Sequence, residues 1–367
     1  MEILPRRSLR NVTPFAPDEC TDAMQRELGL KHMVRLCSNE SQLGPSPKAL
    51  AAYRQAAGSL SCYPDGGSPE LVQALARMHR VRPENVLVGS GSDELIRLFC
   101  EAFLDQDDEV IVSQYGFVRF RQQAAMMGAR TVEIPMTDWT PDLETTARAA
   151  NPRTKIIFLA NPNNPTGTYN TDGELRALLG EAPASALVVV DEAFYEFAAG
   201  CEDYPRTVPG LVRKHPNLVV LRTFSQAYGL AGLRVGYAIG DPEVLGWLDR
   251  IRLPFNVNLP AQRACRAALS DADFLKRSVA AALSSREVLA EDLRGLGFGV
   301  MDSAANFLFV RCPGKGRSLA RALFRRGVMI HALDEYGLND HVRISVGTPE
   351  QNATLLKMLK AAIGEAP

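Results

Sequence analysis

The stretch Arg222-Thr-Phe-Ser-Gln-Ala-Tyr-Gly-Leu-Ala-Gly-Leu-Arg-Val-Gly-Tyr237 is the most informative part of this sequence. It follows the apolar run 217–221, passes through a turn that carries Thr223 and Ser225, and leads through Arg234 into another apolar run. Hydroxyl groups and a guanidinium that converge on one point are suited to holding a phosphate. The stretch therefore predicts a strand–turn–strand unit with an anion-binding turn.

Short apolar runs alternate with helical patterns on both sides of this unit. The runs with strand character are 86–88, 109–112, 131–134, 155–160, 186–190, 217–221 and 234–239. Amphipathic stretches such as 93–103 and 175–180 lie between them. Runs that are apolar on both faces are typical of central strands in a mostly parallel sheet with helices on both faces. The alternation therefore indicates an α/β fold.

The pattern changes after about residue 260. Residues 261–296 read as one long helical stretch. The segments that follow it are short strands at 297–300, 306–310, 328–330 and 341–346 and a terminal helix at 350–363. This lack of strict alternation predicts a smaller α+β domain. We expect an N-terminal arm at 1–39 that forms part of the small domain, a large domain at 40–260, and a small C-terminal domain at 261–367.

The composition is that of an ordinary globular protein. Of the 367 residues, 46% are hydrophobic and 23% are charged, and 41 Lys and Arg against 42 Asp and Glu give a net charge of −1. This balance indicates neither a nucleic acid nor an anionic membrane as partner. No apolar run approaches the roughly 18–20 residues that cross a bilayer, and the N-terminus does not resemble a secretory leader. We expect a soluble, cytoplasmic protein.

The seven cysteines are scattered and odd in number, and none forms a C-x-x-C pair. A disulfide framework needs pairs, and a zinc site needs clustered ligands. We therefore expect reduced cysteines in the core and no metal site.

Residues 89–94, Gly-Ser-Gly-Ser-Asp-Glu, follow a predicted strand and open a predicted helix. Small residues allow close backbone approach, and the N–H groups at a helix N-terminus attract an anion. Ser92 could add a hydroxyl. An ordinary helix cap followed by first-turn acids would give the same pattern, so both interpretations stay open.

Two further motifs come directly after predicted strands. Residues 161–167, Asn-Pro-Asn-Asn-Pro-Thr-Gly, follow the run 155–160 and predict a turn at its carboxyl end, where ligands bind in open α/β sheets. Asp191 ends the run 186–190, and a carboxylate there is costly unless it meets a cation or several donors. Because Glu192 follows at once, we expect one carboxylate to face the site and the other to face solvent. A plain turn and a helix cap are the structural alternatives.

These motifs, taken in order, resemble those of the fold-type I pyridoxal-phosphate aminotransferases of class I/II, and are most similar to histidinol-phosphate aminotransferases. The resemblance covers nearly the whole chain. Its motifs are at 38–47, 63–67, 91–94, 163–167, 191–194, 232–236 and 343–348. It implies pyridoxal 5′-phosphate as cofactor, an amine or amino acid as substrate, and a homodimer. It also implies that the cofactor phosphate is held by Ser92, the Asp93 backbone, Thr223, Ser225 and Arg234.

The resemblance implies roles for further residues. Tyr115 would stack on the pyridine ring, Asn164 would bond its 3′-oxygen, and Asp191 would pair with the ring nitrogen so that the ring acts as an electron sink. Tyr63 would reach the phosphate held by the neighbouring subunit. The implied substrate ligands are Arg343 for the anionic group, Asn39 at the same end, and His331.

Gln226 departs from the family pattern in the most consequential way. The family has a lysine there, which holds the cofactor covalently and moves a proton during transamination. An amide is neither a usable nucleophile nor a base, and the neighbouring lysines, Lys214 and Lys276, lie outside the motif. We therefore expect noncovalent binding of pyridoxal phosphate, direct condensation with an amine, and no ordinary fast transamination. The sequence leaves open whether Gln226 is natural or an engineered substitution.

Other departures indicate a specialised relative. Phe194 stands where the family usually has a tyrosine that bonds the 3′-oxygen, and His331 stands near where an arginine often helps to bind substrate. Any replacement base would have to be another side chain, and Tyr228, Tyr115 and His331 are candidates by chemistry. A decarboxylase or lyase, which needs the electron sink but no base at Cα, is one alternative function. A noncatalytic protein that binds the cofactor or an amine is the other.

Overall fold

The computed structural model describes residues 4–10, 12, 22–30, 32–312, 314 and 316–364. Its strands are β1 (Val34–Leu36), β2 (Val86–Gly89), β3 (Glu109–Ser113), β4 (Arg130–Ile134), β5 (Met136–Thr137), β6 (Thr140–Pro141), β7 (Thr154–Ala160), β8 (Leu187–Asp191), β9 (Leu218–Thr223), β10 (Gly236–Ile239), β11 (Gly299–Val300), β12 (Phe307–Arg311), β13 (Val328–Leu333) and β14 (Leu338–Ser345). Its α-helices are α1 (Asp22–Glu27), α2 (Pro47–Ala56), α3 (Pro69–His79), α4 (Ser92–Phe103), α5 (Val118–Met127), α6 (Leu143–Ala149), α7 (Asp172–Glu181), α8 (Tyr195–Ala198), α9 (Pro242–Ile251), α10 (Leu259–Leu269), α11 (Ala272–Gly295), α12 (Gly316–Phe324) and α13 (Pro349–Gly364).

The larger sheet has seven strands in the order β2-β10-β9-β8-β7-β3-β4. Strand β10 is antiparallel to β2 and to β9, and the other neighbouring pairs are parallel. These are the seven strands that the apolar runs predicted. The mostly parallel α/β architecture expected from the sequence is confirmed.

Both faces of the large sheet are buried. Along β8, Val188 and Val190 belong to one hydrophobic cluster, and Leu187 and Val189 belong to the cluster on the opposite face. Helices α3, α7 and α10 cover the first face, and α4, α5 and α9 cover the second. Full burial of one such side chain stabilises the fold by about 1.5–3 kcal/mol, which explains why these strands contain almost no polar residue before their ends.

The smaller sheet has the order β1-β13-β14-β12-β11. Strand β1 comes from the N-terminal segment and pairs in parallel with β13, so Leu36 packs in the same cluster as Ile330 and Ile344. The segment just before residue 39 thus belongs to the small sheet. The exact domain boundaries stay predictions.

The predicted single helix over 261–296 is wrong in one respect. It is divided into α10 and α11 at Ser270 and Asp271. The Ser270 hydroxyl donates to the carbonyl of Ala267 at 2.7 Å, and the Ser270 N–H also caps the last turn of α10. A serine that bonds its own backbone in this way competes with helix continuation.

The cysteine prediction holds for part of the set. Cys37, Cys100, Cys265 and Cys312 are buried, whereas Cys201 is half-buried and Cys62 is exposed; Cys20 lies outside the described residues. Within the described ranges there is no cluster of three or more metal-ligating side chains, and no helix is both long and apolar enough to cross a membrane.

Glu192 does not face solvent, contrary to the expectation from the sequence. Its side chain is fully buried beside Arg222, with 2.7 Å between Oε2 and Nη2, and it accepts a 2.6 Å hydrogen bond from the Thr207 hydroxyl. The Arg222 guanidinium also lies over the Tyr195 ring, 3.4 Å from its centroid. Strands β8 and β9 are parallel neighbours, so a charge at the end of one meets a charge in the other.

Replacing Arg222 with methionine should lower the free energy of unfolding by about 3–5 kcal/mol, because the Glu192 carboxylate stays buried without its cation. Chemical denaturation measures the loss. Arg148→Met is the matched control: Arg148 forms an exposed i,i+4 pair with Glu144 at 2.8 Å, and such pairs contribute little. Equal losses in the two variants would contradict this account of the buried pair.

Candidate active site

A cavity of about 400 Å³ lies between the two sheets, at the carboxyl ends of the central parallel strands. Ala160 of β7, Asp191 of β8 and Thr223 of β9 line it from the large sheet. His331 of β13 and Arg343 of β14 line it from the small sheet. Strand ends and a facing sheet therefore bring together side chains that are far apart in sequence.

Most of the residues singled out in the sequence lie in this cavity wall. They are Asn39, Ser92, Asp93, Asn164, Asp191, Thr223, Ser225, Gln226, Arg234, His331 and Arg343. Two predicted residues, Tyr63 and Tyr115, are not among the lining side chains.

Hydroxyl groups and a guanidinium converge at one end of the cavity, here called the anion cup (Ser92, Thr223, Ser225 and Arg234). The Thr223 hydroxyl lies 2.9 Å from the Ser225 hydroxyl and accepts a 3.1 Å hydrogen bond from the Ser225 N–H. Nη1 of Arg234 lies 3.4 Å from the same Ser225 oxygen. These groups supply several donors and one positive charge, which is the chemistry that a phosphate requires.

Two glycines allow the backbone to close around the anion cup. A Cβ on Gly91, which has φ +79°, would lie 2.7 Å from Nη2 of Arg234, and a Cβ on Gly236 would lie 2.6 Å from the Ser92 nitrogen. Gly91 is also the N-cap residue of α4. Because a glycine has no side chain to accept a hydrogen bond, it leaves the first N–H groups of the helix uncapped. An anion at this helix terminus would interact favourably with those groups.

Asp191 lies at the end of the central strand with 5% of its surface exposed. Its Oδ1 accepts a 3.1 Å hydrogen bond from the Ala193 N–H, but within the described residues no basic side chain lies within ion-pair distance. Burial raises the pKa of this carboxyl from 3.8 to about 7, against the lowering effect of the Ala193 N–H. A cationic ring nitrogen would supply the missing counter-charge.

Arg343 connects the small sheet to the turn that follows β7. Its Nη1 donates to Oδ1 of Asn164 at 2.7 Å, and its Nη2 donates to the Cys37 carbonyl at 2.6 Å. Asn164 therefore uses its oxygen for Arg343, and its Nδ2 has no acceptor among the described residues. That amide is oriented so that Nδ2 can donate to a ligand.

Asn39 is held by Ser345 at the end of β14 and by Asn306, the residue before β12. It has φ +57°, its N–H donates to the Ser345 hydroxyl at 2.8 Å, and that hydroxyl donates back to Asn39 Oδ1 at 2.9 Å. Nδ2 of Asn306 donates to the Asn39 carbonyl at 2.9 Å. The left-handed backbone at this asparagine is thus fixed by three hydrogen bonds.

His331 forms a pair with an acidic residue in the cavity wall. Its Nε2 lies 3.2 Å from Oε1 of Glu335, and it sits opposite Arg343 in the register of β13 and β14. Phe194, at the position of the family tyrosine, packs edge-on against Phe307 with 5.1 Å between ring centroids. A phenyl ring offers no donor to a ligand oxygen.

The sequence missed the aromatic wall formed by Phe117, next to Val118. Tyr115 lies two residues earlier, and its ring contacts Trp139 at 5.6 Å instead. A tight turn lies between them, in which the Gly116 N–H donates to the Ser113 carbonyl at 2.8 Å. The turn points the side chains of Tyr115 and Phe117 in different directions. The stacking role of Tyr115 stays a prediction, and the aromatic residues among the described residues that line the cavity are Phe117, Phe194 and Tyr336.

Tyr63 lies outside the cavity and is 82% exposed. It stacks on Phe255 with 4.8 Å between centroids. Its predicted contact with a phosphate needs a second chain.

Gln226 lines the cavity directly after the anion cup. Its Oε1 is buried and has no hydrogen-bond partner among the described residues. No lysine occurs among the described residues that line the cavity, and Lys214 and Lys276 lie elsewhere. Of the three candidate bases only His331 lines the cavity; Tyr228 packs in the core against Phe224, and burial raises its pKa well above the ordinary value.

Comparison with known proteins identifies the family. The family model of class I and II aminotransferases matches residues 31–359. The chain belongs to this family. A histidinol-phosphate aminotransferase 2 from Carboxydothermus hydrogenoformans is 40% identical over 358 residues, which are 98% of this chain and 99% of that protein. A histidinol-phosphate aminotransferase from Symbiobacterium thermophilum is 42% identical over 360 residues, with 98% and 99% covered.

Solved structures of aminotransferases have the same fold. A histidinol-phosphate aminotransferase from Sinorhizobium meliloti, in complex with pyridoxal 5′-phosphate, superposes with a TM-score of 0.87 at 32% identity and covers 98% of this chain and 97% of its own. An aspartate aminotransferase from Thermus thermophilus with maleate has a TM-score of 0.84 at 26% identity, covering 99% and 100%. The resemblance and the fold class inferred from the sequence are confirmed.

Replacing Asp191 with asparagine should stabilise the cofactor-free aminotransferase chain in a pH-dependent way. The unfolded chain releases this proton near the ordinary pKa of 3.8 and the folded chain near 7. The free energy of unfolding therefore falls as the pH rises between these values, by about 4 kcal/mol in all. The advantage of Asp191→Asn should be small near pH 4, grow up to about pH 7 and then stay constant. Denaturant titrations across this range measure it, and a constant advantage at every pH would contradict the assignment.

Proposed function

We propose that this member of the aminotransferase family holds pyridoxal 5′-phosphate without a covalent bond to the protein and presents it to an amine substrate. One observation carries the proposal: the anion cup and Asp191 share a cavity whose family lysine position is Gln226. When bound, pyridoxal phosphate supplies an aldehyde carbon for amines and an electron-withdrawing ring. The residues of the cavity fit the phosphate and the ring nitrogen, but the amino group that would tether the cofactor is missing and Phe194 offers no donor to the ring 3′-oxygen.

The proposed contacts follow the chemistry of each side chain. The anion cup and the N–H groups at the start of α4 would hold the phosphate. Asp191 would pair with the protonated ring nitrogen, which also relieves the cost of its own buried charge. Asn164 would donate Nδ2 to the ring 3′-oxygen while its Oδ1 stays bonded to Arg343.

Gln226 changes what the site can do with a proton. A primary amide cannot take a proton from Cα, and losing a positioned base typically lowers a rate by about 10²–10⁴-fold. We propose that ordinary transamination by the chain as written is correspondingly slow. His331 is the remaining candidate base that lines the cavity.

A homodimer forms part of this proposal. Tyr63 and Phe255 are exposed and stacked, and Leu60 and Leu253 are exposed as well. An exposed apolar patch of this kind favours burial against a partner subunit, from which Tyr63 would reach the neighbouring phosphate. A cytoplasmic location is likewise proposed.

The two alternative functions gain nothing from the comparisons. The relatives quoted above are named aminotransferases, and none is a decarboxylase, a lyase or a binding protein. Release of carbon dioxide rather than a keto acid from an amino acid would favour the decarboxylase.

Restoring the lysine should convert reversible binding of the cofactor into covalent attachment. The chain with Gln226, called wild type from here on as the reference for the variants, should release pyridoxal phosphate on dialysis, and borohydride should fix none to it. The Gln226→Lys variant should keep a visible absorption band after dialysis and a mass increase after reduction, and Gln226→Met should behave like wild type. Covalent fixation to the wild-type chain would show that another lysine serves, and failure of wild type and variant to bind at all would refute the function.

The substrate end of the cavity favours a carboxylate over a phosphate ester. Arg343 already donates to Asn164 and to a carbonyl, and the neighbouring position holds His331 paired with Glu335 rather than a second guanidinium. A phosphate dianion is recognised best by several cations or bidentate guanidinium groups. We therefore propose that the anionic group of the substrate is a carboxylate.

Replacing His331 with arginine should shift this preference. The cofactor-loaded wild type should bind L-histidine more tightly than histidinol phosphate, two probes that share the imidazole group. His331→Arg should change the affinity ratio towards the phosphate ester by about tenfold, because a charge-assisted pair is added. Spectroscopic titration measures both affinities. His32→Arg adds the same charge at an exposed residue outside the cavity, and an equal shift there would contradict the assignment.

A further inference from the structure

A second cavity, of about 590 Å³, lies between α11 and α13 behind the wall of the active-site cavity. Apolar side chains such as Phe197, Leu289 and Leu356 form most of its lining. Its charged lining residues are Asp292 and Glu350, and among the described residues no lysine, arginine or histidine lines it. The cavity therefore combines apolar walls with a negative charge.

Asn306 lines the second cavity and is 3% exposed. Its Nδ2 donates to the Asn39 carbonyl at 2.9 Å. Because a carbonyl oxygen can only accept, this bond fixes which end of the amide is nitrogen. The other end, Oδ1, is buried and has no donor among the described residues. This oxygen has almost no accessible surface, so Asn306 contributes to the second cavity as part of its wall and as the bonded neighbour of Asn39, not as an acceptor for a ligand.

We propose that the second cavity binds a small organic ammonium ion with an apolar body. The apolar walls favour the body of such a molecule. The carboxylates of Asp292 and Glu350 favour a positive charge on that molecule. Among the described lining residues an anion would meet like charges and no positive one, so the site discriminates by the sign of the charge.

Two hydrogen bonds connect the second cavity to the active-site cavity. One is the bond from Asn306 to Asn39, which lines the active-site cavity. The other runs from the Ser278 hydroxyl to the carbonyl of Ala227, at 3.0 Å, one residue after Gln226. A ligand that moves Asn306 or Ser278 would change the position of groups that face the active site. Thermodynamic linkage then requires that a ligand in either cavity change the affinity of the other cavity for its own ligand by the same factor.

The test uses the cofactor-free full chain, so its outcome does not depend on the proposed function. The probe is N,N-dimethylphenethylamine, a tertiary amine that cannot condense with an aldehyde; phenethyl alcohol and phenylacetate are the neutral and anionic probes. Calorimetry should show that the amine binds severalfold more tightly than the alcohol and that phenylacetate binds weakest.

Variants locate the binding. Ala281 is exposed on α11 and lines the second cavity, so Ala281→Trp should fill the space and abolish binding of the amine. Asp292→Asn should weaken the amine about two- to fivefold and leave the alcohol unchanged, as expected for one exposed charge. Glu291→Gln, at the preceding residue, should change nothing. Unchanged amine binding in Ala281→Trp, or phenylacetate binding as tight as the amine, would overturn the proposal; Asp292→Asn keeps it testable if Ala281→Trp does not fold.

The connection between the cavities is measured separately. The dissociation constant of pyridoxal phosphate should differ with and without a saturating amount of the tertiary amine in wild type, and should not differ in Ala281→Trp. If the chain binds the amine but no pyridoxal phosphate, the proposed function fails and the second site stands. If both bind independently, the site stands and the connection between the cavities is refuted.

Discussion

The buried carboxylate of Asp191 is the constraint on which the site depends. It ends the middle strand of the seven-stranded sheet, where its neighbours across the sheet are Ala160 and Leu221. Glu192, the next residue, is equally buried, but Arg222 and Thr207 compensate its charge. Asp191 has one backbone N–H and no described basic partner. Adjacent carboxylates therefore differ: Glu192 is part of a structural ion pair, and Asp191 is the carboxylate that we propose pairs with a cationic ligand.

The proposed function separates two tasks: holding the cofactor, and the covalent attachment and proton transfer that a lysine performs elsewhere in the family. We propose that binding of the phosphate and the ring depends on the anion cup, the start of α4, Asp191 and Asn164, which share one cavity in this chain. Covalent attachment and proton transfer depend on a primary amine at position 226, where the chain has an amide. Because these tasks use different atoms, the chain can keep the first without the second. The replacement of an amine by an amide is at Gln226, whose Oε1 is buried and has no hydrogen-bond partner among the described residues.

The two sheets meet through a small number of polar side chains, and these set the geometry of the substrate end. Arg343 of the small sheet bonds Asn164 in a turn of the large sheet. Asn39 lies where the N-terminal segment passes from one sheet to the other and is held by Ser345 and Asn306. The same Asn306 lines the second cavity, so one amide contacts the surroundings of both cavities. A small movement of one sheet relative to the other would therefore change the positions of side chains in both cavities.

The sequence by itself determined the seven strands of the large sheet, because strands buried on both faces must be apolar throughout. It also identified the family and most of the cavity wall, partly from motifs at strand ends, where ligands bind in α/β sheets, and partly from the family resemblance. Strand β1 escaped prediction because its three residues gain their stability from a partner, β13, almost three hundred residues away in the chain. The break at Ser270 escaped because a single side-chain hydrogen bond, rather than the helical pattern, ends α10.

Only the tertiary structure decided which side chains meet. The burial of Glu192 depends on Arg222 in the adjacent strand, and the choice between Phe117 and Tyr115 depends on the direction in which a tight turn leaves β3. The pairing of His331 with Glu335 and the isolation of Asp191 from any described basic side chain are likewise facts of packing. Local sequence specifies period and propensity, whereas contacts across strands and between sheets are set by the register and by the way the two sheets pack.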